Sequence, residues 1–165
     1  MMNKAFFLDR DGIINVERGT YTSQIEDFAF VKDIIPSLRL MKENGYIICI
    51  ISNQGGIAKQ KFTYNDVDVL HNHIIQKLRE QQIELTEIYY CPHHSDIEKC
   101  ICRKPDSLML EKAIARFHID TSTSFFIGDK ETDIKAAEKV GVKGYLVLEN
   151  ESILTLTERL IRTNG

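Results

Sequence analysis

Several features are missing from this chain, and each absence removes a class of function. Basic residues are not in excess: 21 Lys and Arg stand against 24 Asp and Glu, a formal charge of −3. Such a balance leaves no electrostatic footprint for nucleic acid or an anionic membrane surface. No apolar run approaches the roughly 18–20 residues that span a bilayer. The start lacks the succession of basic region, long apolar segment and small-residue cleavage site that marks a secreted chain. The expected location is therefore the cytoplasm, with neither nucleic acid nor membrane as partner. Linkers, internal repeats and low-complexity tracts are also missing, so the 165 residues are expected to form one domain over 1–165. Without heptads or surplus apolar surface, a monomer is expected.

What is present is a series of short apolar runs separated by helical patterns. Ala5–Leu8, Tyr46–Ile51, Glu87–Tyr90, Ser124–Ile127 and Gly144–Leu148 read as strands. Unbroken apolar runs suit strands buried on both faces. Residues 13–32 show no period and read as a loop or flap. Asp33 is a candidate cap for a helix carrying Ile34, Leu38 and Met41, with Pro36 in its first turn and Gly45 as its stop. Thr63 and Asp66 form a capping box for a helix to about residue 81; His71 and His73 on it are expected to be solvated or packed. Asp106 is a candidate cap for a helix with Leu110, Ala113, Ile114 and Phe117 on one face. Further helices are expected from Lys130 to Val140 and over 151–162. The alternation predicts an α/β fold: a Rossmann-like three-layer sandwich around a mainly parallel sheet.

In such folds ligands bind beyond the carboxyl ends of the strands. Three ends here carry chemistry: Leu8 runs into Asp9 and Asp11, Ile51 into Ser52, and Ile127-Gly128 into Asp129. Asp9, Asp11, Asp129 and Asp133 would gather oxygens suited to magnesium, with Ser52 and Asn53 as neutral hydrogen-bonding groups. Gly12, Gly55 and Gly56 allow backbone N–H groups to approach an anion. Lys104 can add a positive charge. These are the parts of a phosphoryl-transfer site.

Cys91, Cys100 and Cys102 lie within twelve residues beside His93 and His94. Three thiolates and one imidazole make a closed tetrahedral zinc site, structural because no position stays open. Such a zinc would stabilise the loop over residues 91–105 and hold Arg103 and Lys104 in place. Spacing alone does not choose between His93 and His94.

Asp9-Arg10-Asp11-Gly12, Ser52-Asn53-Gln54, Lys104 and Gly128-Asp129-x-x-x-Asp133 resemble, in this order, the four motifs of the haloacid dehalogenase superfamily. Cys102-Arg103-Lys104-Pro105 and the zinc spacing are similar to its small zinc-containing branch, which includes heptose bisphosphate and histidinol-phosphate phosphatases. The resemblance spans about residues 4–148. It implies that Asp9 is the nucleophile, forming an aspartyl-phosphate, and Asp11 the general acid and base. Ser52 would hydrogen-bond the phosphoryl oxygens and Lys104 neutralise them. Magnesium would be held by Asp9, Asp129 and the backbone carbonyl of Asp11, with Asp133 orienting this set. Asn53, Gln54, Arg103 and Lys130 would meet substrate, and His93 rather than His94 would complete the zinc site.

About forty residues between Asp11 and Ser52, and fifty between Ser52 and Lys104, leave no room for a large cap. Asn15–Gly19, Phe28–Phe30 and Gly56–Phe62 look like the heptose phosphatase pattern, whereas the short zinc loop resembles the histidinol-phosphate branch. Ile13 and Gly55 depart from the usual Thr and Ser. A small phosphorylated metabolite, a sugar bisphosphate losing its distal phosphate, is the expected substrate, with histidinol phosphate the alternative. Two readings of another class remain: a non-hydrolytic phosphoacceptor, which would release one phosphate without turnover, and a zinc-stabilised binding protein, which would release none.

Overall fold

The computed structural model describes residues 1–164. Its elements follow in the order β1 (Lys4–Leu8), α1 (Ile34–Glu43), β2 (Tyr46–Asn53), α2 (Tyr64–Glu80), β3 (Glu87–Cys91), α3 (Leu108–Phe117), β4 (Phe125–Gly128), α4 (Glu131–Lys139), β5 (Lys143–Leu146) and α5 (Leu154–Asn164). The strands form one sheet in the order β3-β2-β1-β4-β5, and every pairing is parallel. The chain moves outward from β1 to β2 and β3, then returns to lay β4 on the other side of β1. The strand order therefore reverses between β1 and β4, and their carboxyl ends flank the crevice where such folds bind ligands.

Alternation along each strand divides the core into two layers. Phe6 and Leu8 pack with Ile48, Ile50, Leu38, Leu70 and Leu160, on the side of α1, α2 and α5. Ala5 and Phe7 pack with Cys49, Ile51, Leu110, Ala113, Ala136 and Ala137, on the side of α3 and α4. This is the expected three-layer sandwich. Cutting Phe6 or Phe7, both fully buried, back to alanine costs about 3–5 kcal/mol.

Local signals are obeyed unevenly. The Thr63–Asp66 capping box is present, and Gly45 and Gly141 take positive φ just past α1 and α4. Asp33, expected to cap α1, instead has a left-handed backbone and makes no side-chain cap bond; its carboxylate accepts from Ser152 Oγ at 2.9 Å. Asp106 is not the cap of α3, since Ser107 holds that position and Asp106 pairs with Lys139 at 2.9 Å. In both cases a distant partner captures the carboxylate that local spacing assigned to a helix end. His71 is buried, and His73 packs edge-on against Phe28.

Candidate active site

The site forms where β1 and β4 end side by side. Asp9 follows β1, and its N–H donates to Ile127 O at 3.2 Å. Lys104 arrives from the loop after β3. Its backbone is clamped by Asn53, whose Nδ2 donates to Lys104 O at 3.1 Å and whose Oδ1 accepts from Lys104 N at 3.0 Å. The Lys104 side chain is only 2% exposed. Its Nζ donates to Asp9 Oδ1 at 2.8 Å and to Ile51 O at 2.6 Å, and lies 2.6 Å from Asp133 Oδ1. Burial works against the ammonium, but the charges of Asp9 and Asp133 outweigh it and hold the Lys104 pKa above its ordinary value.

One ammonium faces more than one carboxylate. Ligand oxygens of Asp9, Asp129 and Asp133 lie within 4.8 Å of one another. Burial, and then the charge of Asp9, push Asp129 up to about 7; the same causes raise Asp133. Asp129 Oδ1 is buried without a hydrogen-bond partner. Both Asp133 oxygens are engaged, Oδ1 by Lys104 and Oδ2 by the Lys130 N–H at 3.1 Å. A hard divalent cation would satisfy the orphaned oxygen and relieve the repulsion, so the residues fit magnesium. Two glycines permit this crowding. A Cβ on Gly12, at φ +88°, would stand 2.7 Å from Asp129 Oδ2, and one on Gly128 would stand 2.3 Å from Asp133 Oδ2.

Asp11 sits in a cage of donors. Oδ1 accepts from Arg10 Nη2 at 2.8 Å and Asn15 Nδ2 at 2.9 Å, and Oδ2 from Gln54 Nε2 at 2.9 Å. Burial alone would raise its pKa; the Arg10 guanidinium and these hydrogen bonds overcome that and hold the carboxyl below its ordinary range. Gln54 Nε2 also donates to Ser52 Oγ at 2.8 Å, and Ser52 is fully buried. Asn53 and Gln54 thus have internal tasks, on Lys104 and Asp11, that their motif does not reveal. A cleft of about 1030 Å³ opens over these groups, lined among others by Asp9, Asp11, Gln54, Arg103, Lys104 and Lys130.

The cysteine and histidine ligands also converge. Cys91 Sγ is 3.1 Å from Cys102 Sγ and 3.7 Å from Cys100 Sγ. His93 Nδ1 is 3.4 Å from Cys91 Sγ and 3.2 Å from Cys102 Sγ. Ligand atoms of all four lie within 4.8 Å of one another, and three thiolates with one imidazole are a donor set for closed tetrahedral zinc, so the four residues fit such a site. His94 points elsewhere, its Nδ1 accepting from Asp96 N at 3.1 Å. Arg103, one residue past Cys102, is steadied by donating from Nη1 to His93 O at 3.0 Å.

Three contributors escaped the sequence. Asn15 reaches Asp11. Asn150 ties the flap down, accepting from Glu17 N at 2.6 Å and donating to Glu17 O at 2.9 Å. His71 touches Arg10. Asn150 and His71 stand in no recognisable motif; Asn15 opens the heptose-phosphatase-like stretch Asn15–Gly19, which carries no sign of a bond to Asp11.

The family model described as polynucleotide kinase 3 phosphatase matches residues 4–144. The chain belongs to this family, within the haloacid dehalogenase superfamily. A D-glycero-beta-D-manno-heptose-1,7-bisphosphate 7-phosphatase of Haemophilus influenzae is 43% identical over 147 residues, covering 86% of this chain and 79% of that protein. A D-glycero-alpha-D-manno-heptose-1,7-bisphosphate 7-phosphatase of Photorhabdus laumondii is 36% identical, covering 98% of this chain and 92% of that protein. The fold matches a D,D-heptose 1,7-bisphosphate phosphatase of B. bronchiseptica, complexed with magnesium and phosphate, at a TM-score of 0.83 and 24% identity, over 94% of this chain and 86% of that one. This haloacid dehalogenase-like protein is a phosphatase. No helix among the described residues is long and apolar enough to cross a membrane.

Proposed function

We propose that the chain is a single hydrolase domain, residues 1–165, that removes the 7-phosphate of D-glycero-D-manno-heptose 1,7-bisphosphate through an aspartyl-phosphate. The observation that carries the chemistry is the setting of Asp9, at the strand-order reversal, facing the cleft and bonded to the buried Lys104. The substrate is carried by the similarity to the heptose bisphosphate phosphatases.

An Asp9 carboxylate oxygen attacks phosphorus while the bond to the sugar oxygen breaks, and Asp11 gives that oxygen its proton. Water then attacks the aspartyl-phosphate, Asp11 takes its proton, the acyl phosphate bond breaks, and Asp9 is regenerated as phosphate leaves. At rest the donor cage keeps Asp11 ionised, the form needed for the second half. A dianionic phosphate entering beside it raises its proton affinity and prepares the first half. Lys104 neutralises charge on the transferring group, Ser52 supplies a hydroxyl to its oxygens, and Asp133 holds Lys104 in line. Magnesium, held by Asp9, Asp129 and the Asp11 carbonyl, would supply further charge neutralisation. Arg103 and Lys130 face the cleft where a second phosphate would lie. Zinc on Cys91, His93, Cys100 and Cys102 would fix the loop that presents Arg103 and Lys104.

Steady-state phosphate release from heptose 1,7-bisphosphate and histidinol phosphate tests this, with phosphorus NMR locating the phosphate lost. Faster magnesium-dependent loss of the 7-phosphate, abolished by Asp9→Asn, is expected. Preference for histidinol phosphate would overturn the substrate; a single burst without turnover would overturn the hydrolysis.

A further inference from the structure

Arg10 is among the largest fully buried side chains of the described residues, 1% exposed, yet the chemistry above gives it no contact with substrate. Its planar fork is fixed in two directions. Nη2 donates to Asp11 Oδ1 and to Thr22 O, both at 2.8 Å. Nη1 lies 3.2 Å from Nε2 of His71, sixty-one residues away on α2. A guanidinium has donors only, so Nε2 must be the acceptor and the imidazole is neutral, with its proton on Nδ1. Burial first, and then the Arg10 charge, push the His71 pKa down to about 3, which agrees with that tautomer. Tyr90 packs edge-on against the imidazole, ring centroids 5.4 Å apart.

We infer that His71 is a positioning residue for the reaction, acting through Arg10 to hold the Asp11 carboxyl where it meets the leaving oxygen. Arg10 Nε already has no partner in the buried interior. Taking away the acceptor at Nη1 leaves a second nitrogen of the guanidinium without a partner, which is expensive for a buried group. The guanidinium would turn to find a partner, and Nη2 would carry Asp11 with it. Asn15 and Gln54 hold the carboxylate from other sides, so the effect is partial. A positioned acid contributes roughly 10²–10⁴-fold; loss of one strut should remove about tenfold of it.

This inference rests on Asp11 as the acid, and the test separates the two. Single-turnover release of alcohol is followed from an alkyl phosphate the enzyme hydrolyses, whose alkoxide needs a proton, and from p-nitrophenyl phosphate, whose phenolate does not. His71→Leu should slow the alkyl ester about tenfold and leave the aryl ester within about twofold. His71→Gln, which restores an acceptor at similar reach, should recover the alkyl rate. In an Asp11→Asn background His71→Leu should add no further loss, because the two act as a unit. Equal slowing of both esters, a loss that persists undiminished on Asp11→Asn, or no loss in His71→Leu would overturn the inference while Asp11 stands. If Asp11→Asn itself spares the alkyl ester, the acid assignment and this inference fall together. Far-UV circular dichroism and thermal midpoints confirm that each variant is folded.

Discussion

The ammonium of Lys104 lies 2.8 Å from the carboxylate of Asp9, ninety-five residues away in sequence, and 2.6 Å from that of Asp133. It is a structural counter-ion to both carboxylates and, with Asp9 as the proposed nucleophile, would stand beside the attacking oxygen. Lys104→Met should lower kcat for phosphate release by roughly 10²–10³-fold, the scale of losing one preorganised charge partner. It should also destabilise the metal-free protein by roughly 3–5 kcal/mol, because buried carboxylates are left uncompensated. Phosphate release and urea unfolding read the two effects. A variant with near-normal kcat would remove Lys104 from the chemistry.

Gly12→Ala combines two problems at one atom. The backbone sits at φ +88°, where a side chain is strained, and the new Cβ would fall 2.7 Å from Asp129 Oδ2. Asp129 must move, so the expected outcome is a weaker apparent affinity for magnesium, by about tenfold or more on the scale of displaced metal-site partners. Magnesium titration of the phosphatase rate checks it. An unchanged magnesium midpoint would show that Asp129 does not bind the metal in the position seen.

How much of this was legible beforehand depended on whether a residue's partner lay nearby in sequence. The strand ends that deliver Asp9, Ser52 and Asp129 were readable because apolar runs stop abruptly there. The convergence of Cys91, His93, Cys100 and Cys102 follows from spacing, although the choice of His93 over His94 needed the family resemblance. Asp33 stands at the N-cap of α1 as expected but makes no side-chain bond there, and Asp106 lies one residue before the α3 cap; Ser152 and Lys139, 119 and 33 residues away, take their carboxylates. Gln54 and Asn53 stood in plain view, but their bonds to Asp11 and Lys104 depend on tertiary placement. His71 gave no signal at all: on the sequence it is one more polar residue of an amphipathic helix.

Magnesium should bind in competition with a proton. Burial and the charge of Asp9 raise Asp129 to about 7, above its ordinary carboxylate value. In the metal-free protein the folded state therefore holds a proton that the unfolded chain has already lost at intermediate pH. That contribution favours the fold at low pH and is lost as pH rises through about 7. Magnesium replaces the proton, so the metal should raise the thermal midpoint more at pH 8 than at pH 6. A shift independent of pH would argue against Asp129 as ligand.

Zinc removal should act on the cations rather than on the carboxylates. The proposed zinc ligands end at Cys102, and Arg103 and Lys104 follow directly. Purified protein should carry about one zinc per chain that resists mild chelation. Cys102→Ser should lose it and raise KM for a bisphosphate more than for p-nitrophenyl phosphate, because Arg103 loses the support of His93 O. Metal analysis with the two KM values tests this. Equal changes in both would mean that the loop does not serve the second phosphate.

Stability should fall in acid for a reason separable from the carboxylates. Burial, followed by the Arg10 charge, lowers His71 from 6.5 to about 3, so the folded state keeps it neutral while the unfolded chain protonates it. The stabilisation is fully present above pH 6.5 and is lost progressively as pH falls from there toward about 3. It amounts to a few kcal/mol, since each tenfold change in proton affinity is worth roughly 1.4 kcal/mol. His71→Gln keeps an acceptor for Arg10 but cannot take up the proton. Its unfolding free energy should therefore decline less steeply between pH 6.5 and 4.5 than that of the parent. Urea unfolding at successive pH values measures both slopes; parallel curves would mean that His71 is protonated in the folded protein, and that its bond to Arg10 is not the one described.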